Sequence, residues 1–150
     1  MKDWSAKRDS DGKVVILLNT KDPEAILNKM PDGPYTLIGE CDVSTLASRK
    51  WRDSWKDDES GGIEVDMVGA RAQKMQEIRA KRDEMLDNSD KKWVEATTKG
   101  EASDVSDIEA DKVALRDMAV AAQAAVDAET DPDNLESMDA FSGLSLNKVY

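Results

Sequence analysis

The groups able to do chemistry in this chain are few, and their spacing limits what they can do. Cys41 is the single cysteine and there is no histidine. A cysteine nucleophile needs a neighbour that lowers its pKa. Without an imidazole, Cys-His and Ser-His catalysis and histidine metal ligation are all closed. Standing at the end of an apolar run, Cys41 reads as a small buried hydrophobe. Asp9-Ser10-Asp11-Gly12 shares part of a calcium-loop pattern. That register puts Lys7 at the first ligand position and Leu18 at the last, and neither binds calcium. An Asp-Gly turn accounts for it. Asp57-Asp58-Glu59 sits in a Ser-Gly-Gly loop without a matching second ligand set, and reads as a solvated loop. Asp131-Pro132-Asp133 reads as a helix stop with an N-cap for the next turn. No carboxylate pair is set in the apolar surroundings that raise a catalytic pKa. The expectation is no enzyme activity, no cofactor and no metal.

Binding potential lies elsewhere. Trp51 and Trp55 are four residues apart in RKWRDSWK, so they share a face whether the segment is helix or strand. Arg49, Lys50, Arg52 and Lys56 border them, a basic island able to steer an acidic partner. Tryptophan in a polar rim is a frequent interface anchor. The expected partner-binding set is therefore Trp51, Arg52 and Trp55, joined by Leu144, Leu146 and Tyr150 of the C-terminal segment. The competing reading makes Trp51, Trp55 and Trp93 core anchors. Met67, Met75, Met85 and Met118 read as hairpin core, or as an adaptable docking surface.

The elements that must position these residues follow from pattern. Lys13–Leu18 (KVVILL) is a strand after an Asp-Gly turn, with Trp4–Arg8 as a weak partner strand. Asp22-Pro23-Glu24 opens a short helix, with an N-cap, a proline at the first position and an acid in the first turn. Ala25, Ile26, Leu27 and Met30 form its apolar side, and Pro31-Asp32-Gly33-Pro34 stops it. Tyr35–Cys41 is a second strong strand. Ile63–Met67 alternates like a strand and forms a hairpin with the tryptophan segment through Gly61-Gly62.

From Val68 to Thr97, Ala72, Met75, Ile78, Met85, Leu86 and Trp93 recur at helical spacing. Glu77–Lys81 and Asp87–Lys91 have the favourable acid-before-base order. Arg71 and Arg82 interrupt the stripe, and Asn88-Ser89-Asp90 suggests a kink. Lys99-Gly100 ends this helix. Ser103 or Asp104 caps the next, whose stripe is Val105, Ile108, Leu115, Met118, Ala122 and Val126. Its alanine-rich stretch, Ala119–Ala128, favours helix and close helix packing. Asp131-Pro132 breaks it. Asn134–Phe141 forms a final turn or short helix, and Ser142–Tyr150 is a polar tail.

These elements predict an α+β fold: a small α/β head over 1–66, an antiparallel helical hairpin over 67–130, and a C-terminal docking tail over 131–150. The charged share, 35%, and an aromatic share of only 5% suit exposed helices that each bury one stripe. A net charge of -11 repels phosphate backbones and anionic lipid, so neither nucleic acid nor membrane is expected as partner. No apolar run reaches the length of a membrane span. The N-terminus lacks an apolar signal core, so synthesis in the cytoplasm is expected.

From Arg49 onward the order of short pieces is more informative than any one of them. The pieces are RKWRDSW at 49–55, IEVDM at 63–67, GAR at 69–71, IRAKRDEMLDNSD at 78–90, ALRDM at 114–118 and TDPDNLESM at 130–138. This order resembles small tail-fibre-associated and tail-fibre assembly proteins of tailed bacteriophages. The usual closing tryptophan-proline is replaced by Ser137, Met138 and Asp139. The resemblance implies a virion tail protein, made in the host cytoplasm, that binds the tail fibre or baseplate. The runner-up is a tail-fibre assembly chaperone that leaves before maturation. Self-association into a homo-oligomer is a further expectation.

Overall fold

The computed structural model describes Met1–Tyr150. It is α+β: antiparallel sheets with short helices come first, then two long packed helices forming a hairpin, then a short C-terminal helix. The chain divides into two compact units. The first contains residues 1–70 and 131–136; the second contains 71–130 and 137–150. The division falls after Ala70, and of the segment 131–150 residues 131–136 go with the first unit and 137–150 with the second.

In the first unit, β1 (Lys2–Arg8), β2 (Val14–Thr20) and β3 (Tyr35–Glu40) form an antiparallel sheet in the order β2-β1-β3. The weakest strand by propensity, β1, is the central one. It holds that place because both neighbours pair with it, Ala6 facing Val15 on one side and Leu37 on the other. Asp9–Gly12 makes the turn: the Gly12 N–H donates to Arg8 O at 2.8 Å, and Gly12 takes the left-handed φ of 72° that glycine tolerates. Alternation along the strands sends Trp4, Ala6, Val15, Leu17, Tyr35 and Leu37 to one face. There they pack with Leu27 and Met30 around helix α1 (Pro23–Leu27), which Asp22 caps by accepting from the Ala25 N–H.

The opposite face carries a second layer. Lys7 and Val14 are register partners, and Lys7 Nζ donates to Asp57 at 2.6 Å. Asp57 ends β4 (Trp55–Asp57), which pairs with β5 (Ile63–Val65). The expected hairpin is therefore present, with Gly61 at φ 94°, but only Trp55 is in it. Trp51 lies in a preceding 3-10 segment, Arg49–Ser54. The side chain of Asp66 accepts from the Val68 and Gly69 N–H groups as α2 (Met67–Lys99) begins. A Cβ on Gly69 would stand 2.8 Å from Ser54 Oγ, so a larger residue there would force Ser54 to shift.

In the second unit, α2 packs antiparallel on α3 (Ala102–Ala128). Polar pairs run along the seam in steady antiparallel register: Arg71 to the Glu129 carbonyl, Arg79 to Gln123, Lys112 to Asp90, Trp93 to Glu109. The α3 stripe is buried at Ile108, Leu115, Met118, Ala122 and Val126. On α2, Met75 and Ile78 are buried as expected, but Ala72 is exposed, and Lys74, Ser89 and Ala96 complete the inner face. Helix α2 runs without interruption through Asn88-Ser89-Asp90. Ser89 does not break it, because its hydroxyl donates to Leu86 O at 2.7 Å and the residue is fully buried.

The interhelical turn is tighter than the sequence suggested. Gly100, at φ 76°, donates to Thr97 O, and Glu101 donates to Ala96 O. This is a Schellman closure, with glycine at the left-handed position. Only Gly100 and Glu101 link the helices, and α3 begins directly after Glu101, which makes no side-chain cap. Ser103 and Asp104 therefore lie inside the first turn rather than capping it, and Asp104 meets the positive helix end. The final helix, α4, is Pro132–Ser137, earlier than the expected 134–141, with Asp131 accepting from Asp133 and Asn134 at its N-terminus.

Candidate interaction surfaces

The acidic clusters are engaged by their own neighbours. Asp11 receives Arg8 Nε at 2.9 Å and the Lys13 N–H at 3.1 Å, and its pKa is lowered to about 2, first by the Arg8 hydrogen bond. Asp57 is lowered mainly by Lys7, and Asp58 by the Ser60 and Gly62 N–H groups. Each is held ionised, the opposite of what a general acid needs. Cys41 is half-buried rather than enclosed. Desolvation and the charges of Asp3 and Asp42 push its thiol up, away from the reactive thiolate. No group of acids and cysteine is placed to hold a metal ion, and no helix is long and apolar enough to cross a membrane.

The two tryptophans do not form the exposed patch expected of them. Trp51 is 0% exposed and Trp55 6%. The Trp51 indole N–H donates to Pro132 O at 3.1 Å, and Lys50 Nζ stands 5.2 Å from its ring centroid. Trp51 thus ties the 131–136 segment into the first unit. Its place in a 3-10 turn, with Trp55 in a strand, removes the shared face that a single helix or strand would give.

The C-terminal tail is also turned inward, within the second unit. Asp111 on α3 accepts from the Asn147 N–H, Asn147 Nδ2, the Lys148 N–H and, at 2.8 Å, the Tyr150 hydroxyl. Lys148 pairs with Asp104 at 2.8 Å, and Lys92 lies over the Tyr150 ring. Burial works to raise the Asp111 pKa, but the donors outweigh it and the net shift is downward. Burial, then the Asp111 hydrogen bond, raises Tyr150 well above the ordinary phenol value. Leu144, Leu146 and Tyr150 are only half-buried, yet they belong to a strap on their own hairpin. Sequence analysis did not single out Asp111, since acids are rarely buried unless paired. The signal was available: position 111 falls in the helical register between Ile108 and Leu115.

A different surface emerges in the first unit. A cavity of about 460 Å³ follows β2, touching Lys13, Val14, Val15, Ile16 and Leu18. Neighbouring strand residues point to opposite faces, so a cavity that meets both parities lies along the strand edge. Met30 closes it on the α1 side; Val43, Leu46 and Trp55 line it elsewhere. Arg49 and Arg52 also line it and are exposed. Neither makes an ion pair, whereas Lys13 pairs with Asp53 at 3.1 Å. Leu18 is 60% exposed, and the buried indole N–H of Trp55 has no acceptor. Of the expected partner-binding residues, Arg52 and Trp55 meet here; Trp51, Leu144, Leu146 and Tyr150 do not line this cavity.

With this geometry in view, comparison with known proteins adds no relative: no family model, no curated protein and no solved structure matches the chain.

Proposed function

We propose that this chain is a non-catalytic interaction protein that docks on a tail fibre or baseplate component of a tailed bacteriophage and stays in the particle. The observation that carries the docking part is the apolar groove along β2, rimmed by Arg49 and Arg52 without carboxylate partners. Apolar walls supply contact area, and unpaired rim cations steer and orient an acidic partner. The phage setting rests on the ordered resemblance from Arg49 to Met138. A tail-fibre assembly chaperone uses the same surface but leaves before maturation. Co-expression with neighbouring tail genes, followed by pull-down, tests the reading. Recovery of a fibre or baseplate protein supports it, and recovery of none removes it. Presence in purified virions then favours the structural role, and absence the chaperone.

A further inference from the structure

We propose that the groove accepts an extended, acidic segment of a partner protein as a fourth strand, hydrogen-bonded to the outer edge of β2; this rests on the docking reading above. Three features converge. First, β2 is an edge strand, with β1 on one side and no strand on the other. From Val14 to Leu18 no backbone group bonds to anything beyond β1. Every second residue of an edge strand turns its N–H and C=O outward, a template for strand addition.

Second, the cavity beside that edge is lined by apolar side chains. Met30 stands on the α1 side, and Val43 and Leu46 also line the cavity. An added strand sends alternate side chains to each face, so it finds apolar contact as well as backbone partners. The open length ends at Leu18, because Asn19 turns to φ 55° and the register with β1 slips there.

Third, the rim selects by charge. Arg49 and Arg52 are exposed, lack ion pairs, and stand on a chain of net charge -11. Carboxylates of an incoming strand neutralise them; lysines or arginines are repelled. The edge of a second copy is less suitable, since β2 joined to β2 brings the same cationic rim to both sides of the joint.

The test uses the full-length, isotope-labelled protein and a seven-residue blocked peptide, Glu-Val-Asp-Val-Glu-Ile-Asp. Two further versions are N-methylated at odd or at even positions, and a fourth carries lysine in place of every acid. The acidic peptide is expected to shift the amides of Val14–Leu18 saturably. One N-methylated version should lose about tenfold or more in affinity, because only one set of its amides faces β2. The lysine version should not bind. Arg49→Glu with Arg52→Glu should weaken the acidic peptide by about tenfold or more while leaving distant amides in place. No binding at millimolar peptide overturns the proposal. So do equal affinities for all three acidic versions, which would mean a side-chain or small-molecule pocket. Shifts of Val14–Leu18 that grow with protein concentration alone would assign the edge to a second copy. The pull-down separates the two levels. If the parent and the double Glu variant recover the same tail protein equally, strand addition fails and the docking reading stands. If the parent recovers nothing, the docking reading fails, and the peptide data still judge the edge.

Discussion

The C-terminal strap and the β2 groove are both polar-rimmed surfaces over apolar ground, yet they are finished differently. In the strap, Asp111 is 1% exposed and every nearby donor finds it: Asn147, Lys148 and Tyr150 converge on one carboxylate. The Lys148 charge is spent on Asp104 and the Tyr150 ring is covered by Lys92. In the groove, two guanidinium groups have no carboxylate, one indole N–H has no acceptor, and one strand edge has no neighbour. A surface whose groups are satisfied internally costs free energy to open. A surface with unpaired rim cations and an unpaired strand edge need only exchange its bonds to water for bonds to a partner. The contrast takes the tail out of the expected docking set and leaves the head, with Arg52 and Trp55, as the place to dock.

The largest way to break the comparison is to loosen the hairpin that carries the strap. Leu115 is 0% exposed, and Leu115→Ala should cost about 2–5 kcal/mol in denaturant unfolding. A loss below about 0.5 kcal/mol would place Leu115 outside the core. Next comes Asp111→Ala, which removes the acceptor shared by the part-buried donors of Asn147, Lys148 and Tyr150 and should cost about 1–2 kcal/mol. Removal of residues 144–150 by carboxypeptidase should speed up in that variant.

The same carboxylate sets a pH dependence. The folded Asp111 pKa lies below its unfolded value. Its stabilising contribution is therefore fully present above the unfolded pKa and is lost as pH falls through the folded one. Tail protection, measured by proteolysis, should persist through neutral and mildly acidic pH and fail only in strong acid. Failure near neutrality would contradict the shift.

Smaller effects sharpen the picture. Gly100→Ala forces a Cβ into the left-handed region at φ 76° and should cost about 1 kcal/mol, read as a lowered melting temperature. Arg49→Glu with Arg52→Glu should change stability least, within about 0.5 kcal/mol, because both side chains are exposed and unpaired. A large loss of stability there would mean that the arginines hold the head together rather than meet a partner.

Much of the fold was legible because its signals are local. Asp22-Pro23 and Lys99-Gly100 mark helix limits through backbone chemistry, and the α3 stripe follows from spacing alone. Strand order was not legible. The sheet places β1, with its unremarkable Asp3-Trp4-Ser5-Ala6-Lys7 run, at the centre because pairing on both sides outweighs propensity. The RKWRDSWK segment could be read as helix or strand because Trp51 and Trp55 share a face in either; the chain uses a 3-10 turn followed by a strand. The groove was invisible for a different reason. It is assembled from residues as far apart as Lys13 and Trp55, and it depends on which strand lies at the sheet edge. Only Arg49, Arg52 and Trp55 hinted at it. Asp111 was hidden by its type, although its spacing placed it in the buried stripe.

The claim that the β2 edge, not the tail, meets the partner is tested most directly by hydrogen exchange on the complex recovered with a co-expressed tail protein. Amides of Val14–Leu18 should gain protection on binding, while those of Leu144–Tyr150 exchange as they do in the free protein. Protection gained at Leu144–Tyr150, with Val14–Leu18 unchanged, would contradict the account.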